Sequence, residues 1–284
     1  MKIQLITDSS SDLPKEMQRK LNIEVVPIYL RIDGKQFKPG IDLELPEFYE
    51  RMENSKELPS SSAPNPNDFY QAFKKVDADT PILCLSLSKG ISSTYNNAEM
   101  AKNMLLEEEP SRKIEVLNSK SASSGLIILL NEAAQKAEEG LSFEQLISHM
   151  KDKIEQTQTL FVLKTLENVI KGGRLDRVKG TIAKTLNIKL LLKASDEGTI
   201  EVSEKVRGDK KSIRRFVDQI GEYTKNVENK VIALTHCNAE DRGKSVMEEI
   251  KNKYPFKETI LTEMGPLIAT YAGEGGLVVS FFGD

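Results

Sequence analysis

The sequence predicts an α/β fold in two parts, a parallel-sheet N-terminal half followed by an α+β C-terminal half. Three observations carry this expectation. Short apolar runs alternate with helix-length segments through the first half, a spacing that argues for a parallel sheet covered on both faces. In the second half, Ser195-Asp196-Glu197-Gly198 separates two strand-like runs and signals an antiparallel hairpin. With 284 residues the chain is long enough for two domains, or one large one, with a sizeable core.

In order, Lys2 to Thr7 reads as a buried strand, and Asp12 as the N-cap of a helix from Leu13 to about Lys20. Ile23 to Ile32 and Lys35 to Phe37 flank the turn dipeptide Asp33-Gly34. Pro46 opens a helix over Glu47 to Glu53, and the Ser/Pro/Asn-rich stretch from Glu57 to Asn67 reads as a loop. A helix over Asp68 to Val76 and a strand over Pro81 to Leu87 follow. Next come a helix over Thr94 to Glu108, a strand over Lys113 to Leu117 and a helix over Gly125 to Glu139. After a helix from Ser142 to about Glu155, a strand is expected over Thr159 to Leu163, then a short helix over Leu166 to Ile170, stopped by Gly172-Gly173. The hairpin strands are Lys189 to Ala194 and Thr199 to Val206. Strands over Val231 to Thr235 and Glu258 to Glu263 bracket a helix over Glu240 to Lys253. A boundary near residues 156 to 159 gives expected domains 1–157 and 158–284.

Composition excludes several function classes. The chain is 39% hydrophobic and 29% charged, as expected of a globular protein rather than a disordered or membrane one. Its 40 basic and 43 acidic residues leave a net charge of −3, without the basic excess that nucleic acid requires. The basic pairs Lys210-Lys211 and Arg214-Arg215 read as a solvated helix face. Cys84 and Cys237 form no CxxC pair, so neither a zinc site nor a disulfide scaffold is supported. The N-terminal apolar run meets Asp8 too soon for a signal peptide, and no stretch approaches the roughly 18 apolar residues of a membrane span. A reduced, cytoplasmic protein is expected.

Three strands of the first half end in small polar residues: Thr7-Asp8-Ser9-Ser10, Ser86 to Ser88 with Ser92-Ser93-Thr94, and Asn118-Ser119. In open parallel sheets ligands bind beyond the carboxyl ends of the strands, and Ser92 to Thr94 also open a helix whose free N–H groups favour an anion. Capping and turn duty would account for any one of these serines; three clusters on successive strand ends also suit a shared site. Hydroxyls without Lys or Arg suit a neutral or singly charged oxygen ligand.

The usual catalytic signatures are missing. Gly90-Ile91-Ser92-Ser93-Thr94 lacks the closing glycine of a nucleophile elbow, and no phosphate loop or dinucleotide fingerprint is present. Of two histidines, His149 lies among the apolar Leu146, Ile147 and Met150 and reads as structural, while His236 ends a strand, where catalysis or a plain strand end are both open. Two glycine-bearing segments stand out. Lys171-Gly172-Gly173-Arg174-Leu175 either projects an arginine or is an ordinary C-cap with a solvated one. Gly265 to Gly276 implies a tight loop or a close backbone approach.

Together these segments resemble the DegV family, which includes FakB, the fatty-acid-binding component of bacterial fatty acid kinase. Thr7-Asp8-Ser9-Ser10-Ser11-Asp12-Leu13-Pro14 looks like its TDSxxDLP, and Ser61-Ser62-Ala63-Pro64 stands where TSQP is usual. Ile91 to Ala98 is similar to LSGTYQSA, Asn118 to Gly125 to DSxxASxG, and Lys171 to Leu175 to KGGRI/L. The correspondence runs nearly end to end, with five motifs in order. It implies a Rossmann-like first domain, an α+β second domain and a buried acyl chain. The carboxylate is held by the hydroxyls that align with Ser61 and Ser92, with Arg174 near the head group. A partner kinase of the FakA type would phosphorylate the bound fatty acid for phospholipid synthesis, so the chain itself is expected to be a lipid-binding protein and not an enzyme.

The head-group set is therefore expected to be Ser61, Ser92, Ser93, Thr94, Arg174, Thr270 and Tyr271, supported by Asp8, Ser9, Asn118 and Ser119. No catalytic residue, metal or cofactor is expected. Five departures from the family pattern are present: Ser61 for Thr, Ala63 for Gln, Asn118 for Asp, Ser93 for Gly, and Tyr271 where many members have His. Tyrosine donates a hydrogen bond but does not take up and release a proton near neutral pH as imidazole does, so binding is better supported than phosphotransfer. Two other classes stay open: a lipid-responsive adaptor without phosphotransfer, and a hydroxyl-assisted small-molecule enzyme using His236.

Overall fold

The computed structural model describes residues 2–175 and 188–284. β1 (Gln4–Asp8) leads through a 3-10 turn at Ser9–Ser11 into α1 (Lys15–Lys20) and β2 (Ile23–Val26). Proline has no N–H to donate, and Pro27 divides the single strand expected over Ile23 to Ile32. β2 pairs in parallel with β1, whereas β3 (Tyr29–Ile32) turns away to pair antiparallel with β4 (Lys35–Phe37). Asp33 and Gly34 between them both have positive φ, 46° and 79°, as the tight hairpin turn demands. After α2 (Leu45–Asn54), the serine stretch expected as a loop contains β5 (Ser60–Ser62), which pairs with β3. Three serines carry no alternation, so only the pairing reveals the strand. α3 (Pro66–Lys74) begins two residues earlier than expected because Asn65 and Asp68 form a capping box.

β6 (Ile82–Ser86), α4 (Thr94–Glu108), β7 (Ile114–Asn118), α5 (Ser124–Glu138) and α6 (Phe143–Gln156) complete the first half. Its sheet has the order β2-β1-β6-β7, all parallel. The rest of the chain comprises β8 (Thr157–Val162), α7 (Glu167–Lys171), β9 (Ile188–Ala194), β10 (Ile200–Arg207), α8 (Asp209–Asp218), α9 (Ile220–Tyr223), β11 (Val231–His236), α10 (Glu240–Lys253), β12 (Glu258–Glu263), α11 (Pro266–Ala272) and β13 (Leu277–Phe282). Six of its strands form a sheet in the order β10-β9-β8-β13-β11-β12, antiparallel except for β11 with β12. The glycine-rich segment expected as a tight loop or a close backbone approach holds α11, with Pro266 in its first turn and Gly273 (φ 68°) ending it. Beyond it, a Cβ on Gly275 would fall 2.2 Å from the Lys164 side chain.

The two sheets face each other across α5. Leu126, Ile127, Ile128, Leu129 and Leu130 are each at most 1% exposed, and they pack against Leu83, Leu85 and Leu117 of the parallel sheet and Val231, Ala233 and Phe282 of the mixed one. A helix that is apolar on every side is stable only when covered on every side. α3 and α4 close the far face of the parallel sheet, and α8 and α10 that of the mixed sheet.

Asp12 corrects an expectation. It does not cap α1, which begins at Lys15 without a side-chain cap; it sits at φ 50° instead. Its carboxylate reaches across to the second half, accepting from the Gly265 N–H at 2.8 Å and from the Ser123 hydroxyl at 2.5 Å. Gly265 precedes α11, so Asp12 fixes the start of that helix. Burial lifts the Asp12 carboxyl from its ordinary 3.8 to about 8, against the opposing pull of those two hydrogen bonds. The folded state then holds a proton that the unfolded chain releases, so this group's contribution declines as pH rises from about 4 to about 8 and is level above that. The thermal midpoint of Asp12→Asn, relative to wild type, is therefore expected to climb by several degrees across that window. A difference that stays flat with pH would contradict the assignment.

Candidate functional site

A cavity lies between one face of β8 and β13, the β9–β10 hairpin, α11 and the loop before α5. Its empty space, open mouth included, is about 720 Å³. Side chains alternate along a strand, so Thr159, Phe161 and Leu163 share the face that lines it, while Leu160 and Val162 point to the core beyond. Val278, Ala272, Ile268 and Val169 make the wall predominantly apolar.

A second cavity, about 800 Å³ of empty space with its open mouth included, adjoins it and has a different character. Ser61 and Ser62 on β5 and Ser92 and Ser93 ahead of α4 supply hydroxyls to its wall. Ile91, Arg174, Ile268 and Tyr271 belong to both walls, so the apolar space and the hydroxyl-bearing space meet at these four residues.

Tyr271 is the centre of that junction. Its phenol lies 2.6 Å from the Ser61 hydroxyl, and the Arg174 guanidinium stacks 4.9 Å from its ring centre. The glycine pair before Arg174 serves this arrangement. Gly172 has an ordinary φ of −70°, but a Cβ there would come within 2.4 Å of the Tyr271 ring. Gly173 takes φ 76°, which returns the chain so that Arg174 can donate to the Gly172 carbonyl and lie over the ring.

The expected site residues divide into two groups. Ser61, Ser92, Ser93, Arg174 and Tyr271 come together around the second cavity. Thr94 and Thr270 do not line it. Thr94 is fully buried, its hydroxyl 2.8 Å from that of Ser92, and Thr270 donates at 2.8 Å to the Pro266 carbonyl one turn back in α11. The four supporting residues line neither cavity; they shape the loops. Asp8 accepts from the Ser10 and Leu87 N–H groups and from the Ser86 hydroxyl, while Ser9 accepts from the Ile28 N–H. Asn118 accepts from the Lys89 and Lys120 N–H groups, and Ser119 from that of Ser121. Burial raises the Asp8 carboxyl above its ordinary range, against those same hydrogen bonds.

Neither histidine lines either cavity. Burial lowers His236, whose Nδ1 accepts from the Ala239 N–H, and His149 pairs with Glu132 at 2.7 Å. Among the described residues no group of His, Cys, Asp or Glu has the makings of a metal site, and no helix is long and apolar enough to cross a membrane. The apolar lining escaped the sequence analysis for a physical reason. Both faces of β8 are buried, so its sequence lacks the polar alternation that marks one face as special.

Comparison with known proteins agrees over the whole chain. A family model described as "Uncharacterised protein, DegV family" matches residues 2–284. DegV domain-containing proteins from Listeria innocua and Clostridium perfringens are 32% and 30% identical, over 97% and 99% of this chain and 96% and 99% of theirs. A DegV family crystal structure from Ruminococcus gnavus, refined with vaccenic acid, superposes with a TM-score of 0.92 at 30% identity, covering 98% of this chain and 99% of that one. The Streptococcus pneumoniae fatty acid kinase B3 protein, loaded with linoleic acid, gives 0.88 at 29% identity, covering 100% of each chain. Matched from residue 2 to residue 284 and by relatives of its own length, this chain belongs to the DegV family.

Proposed function

We propose that this protein binds a long-chain fatty acid, with the acyl chain in the apolar cavity and the carboxylate in the hydroxyl-bearing one. The observation that carries this reading is the junction itself. An apolar space and a polar space share Arg174 and Tyr271, so an amphiphile fits with its head beside the cation and its tail beyond the ring. Each buried methylene is worth about 0.8 kcal/mol, so a long chain supplies on the order of 10 kcal/mol before association costs. A few donors then suffice for the head group: the Tyr271 phenol, the Ser61 and Ser92 hydroxyls, and the N-terminus of the 15-residue α4 behind Ser93. The fatty acids named in the R. gnavus and S. pneumoniae structures support the same ligand class. In this reading the division into domains 1–157 and 158–284 places the ligand where the halves meet.

The further proposal is that the bound carboxylate is presented to a partner kinase of the FakA type, which forms an acyl phosphate. Its support is the likeness to the S. pneumoniae fatty acid kinase subunit. One observation favours a second reading, an adaptor without phosphotransfer: Tyr271 brings a phenol and not an imidazole to the junction, leaving Arg174 as the cation there.

Protein purified from a bacterial host is expected to carry a long-chain fatty acid, recoverable by organic extraction and native mass spectrometry. Repeated recovery of nucleotide, sugar phosphate or nothing would count against the reading. Ser92→Ala should weaken fatty acid binding by about 0.5–3 kcal/mol, the range spanned by neutral hydrogen bonds and those to a charged group. Gly172→Ala tests Tyr271: because the new methyl displaces the ring, affinity should fall while the thermal midpoint stays within a few degrees of wild type. Unchanged affinity would place the carboxylate elsewhere. With a kinase from the same genome, Tyr271→His is expected to raise acyl phosphate formation. Wild-type turnover that the substitution leaves unchanged would make the tyrosine functionally silent.

A further inference from the structure

The wall of the apolar cavity changes chemistry along β8. Leu163 leads toward the segment carrying Arg174, and Thr159 lies four residues upstream, about 13 Å away at the rise of an extended strand. On the neighbouring β13, Val278 faces Phe161 and Ser280 faces Thr159, so this end of the sheet face is polar on both strands. A buried chain of hydroxyls runs through it: Ser121 to Thr159 at 2.7 Å, Thr159 to Ser280 at 2.9 Å and Ser280 to Ser124 at 2.8 Å. Thr159 and Ser121 line the cavity yet are only 6% and 4% exposed.

We propose that this wall is a hydroxyl-recognition subsite, which selects fatty acids bearing a hydroxyl in the distal half of the acyl chain. The inference rests on the fatty-acid reading and adds a specificity to it. A plain hydrocarbon tail gains nothing from a polar wall, and a ligand hydroxyl set against Phe161, Leu163 and Val278 would lack a side-chain partner. The donor count sets the chemistry. Each hydroxyl has one hydrogen and two acceptor lone pairs. The three links use three of the four hydrogens, and Ser121 directs the fourth at the Ala122 carbonyl, 3.4 Å away. Every hydrogen is committed while acceptor lone pairs remain on Ser121 and Thr159, so the subsite is matched to an O–H donor and not to a carbonyl. α5 closes the opposite side: a Cβ on Gly125 would fall 2.0 Å from the Ser121 hydroxyl and 2.9 Å from that of Thr159. The cavity is the side from which a partner can approach.

Oleic and ricinoleic acids, which differ by one distal-half hydroxyl, make the test. Competition binding to the delipidated full-length protein would compare both with the keto analogue of ricinoleic acid. Ricinoleic acid is expected to bind at least as tightly as oleic acid, and the keto analogue more weakly than either. Relative to oleic acid, Thr159→Val should weaken ricinoleic acid by about 3- to 10-fold, one net hydrogen bond. Ser121→Ala, on the other half of the chain, should act in the same direction and covers the case in which Thr159→Val fails to fold. A wild-type preference for oleic acid, or variants that shift both acids equally, would overturn the subsite and leave a network that only ties the two halves together. Loss of binding for every acid in the wild type would overturn the fatty-acid reading itself, and this inference with it.

Discussion

The burial of α5 on all sides is the constraint from which the rest of the molecule follows. Its run of five apolar residues, Leu126 to Leu130, has no face that tolerates water, so two sheets must close on it. That requirement brings the parallel sheet and the mixed sheet to opposite sides of one helix and fixes their separation at a helix's width. Where α5 begins, the space between the sheets is no longer filled by its large side chains. Ser121, Ala122, Ser123 and Ser124 are small, and the cavity opens beside them.

Polar ties then hold the seam that the apolar helix creates. Asp12, Ser123 and Thr235 join the N-terminal loop, the start of α5 and β11, with Ser123 and Thr235 hydroxyls 2.7 Å apart. Ser121, Ser124, Thr159 and Ser280 do the same at the neighbouring strands. Buried hydroxyls unpaired in this seam would each carry a desolvation cost, so their mutual bonding is a condition of closing it. By accepting from Gly265, Asp12 also sets where α11 starts, and α11 carries Tyr271. The motif at the N-terminus is thus tied to the wall shared by the two cavities through a helix in the other half.

The site itself is made by close approach. Gly172 admits the Tyr271 ring, the ring accepts the Arg174 guanidinium on its face, and the phenol meets Ser61 on a three-residue strand. Three segments distant in sequence converge there, so this junction is as rigid as the packing that holds them. The apolar space beyond has looser requirements, because dispersion and burial depend on area more than on the angle of any one contact.

The sequence by itself determined the architecture and the family. Alternating strand and helix signals gave the parallel sheet, Asp33-Gly34 and the Ser195 to Gly198 turn gave two hairpins, and the ordered motifs carry Ser61, Ser92 and Arg174, which line one cavity with Tyr271. These signals are local: turn chemistry, periodicity and short motifs are written within a few residues of one another. Only the tertiary structure decided the rest. β5 exists because β3 offers it an edge, α11 forms in a glycine-rich stretch because its start is held from Asp12, and Asp8, Ser9, Asn118 and Ser119 turn inward to their own loops. Phe161 and Leu163 line the cavity while Leu160 and Val162 do not, although all four are apolar, because which face of a doubly buried strand meets empty space depends on what packs against it from elsewhere in the chain.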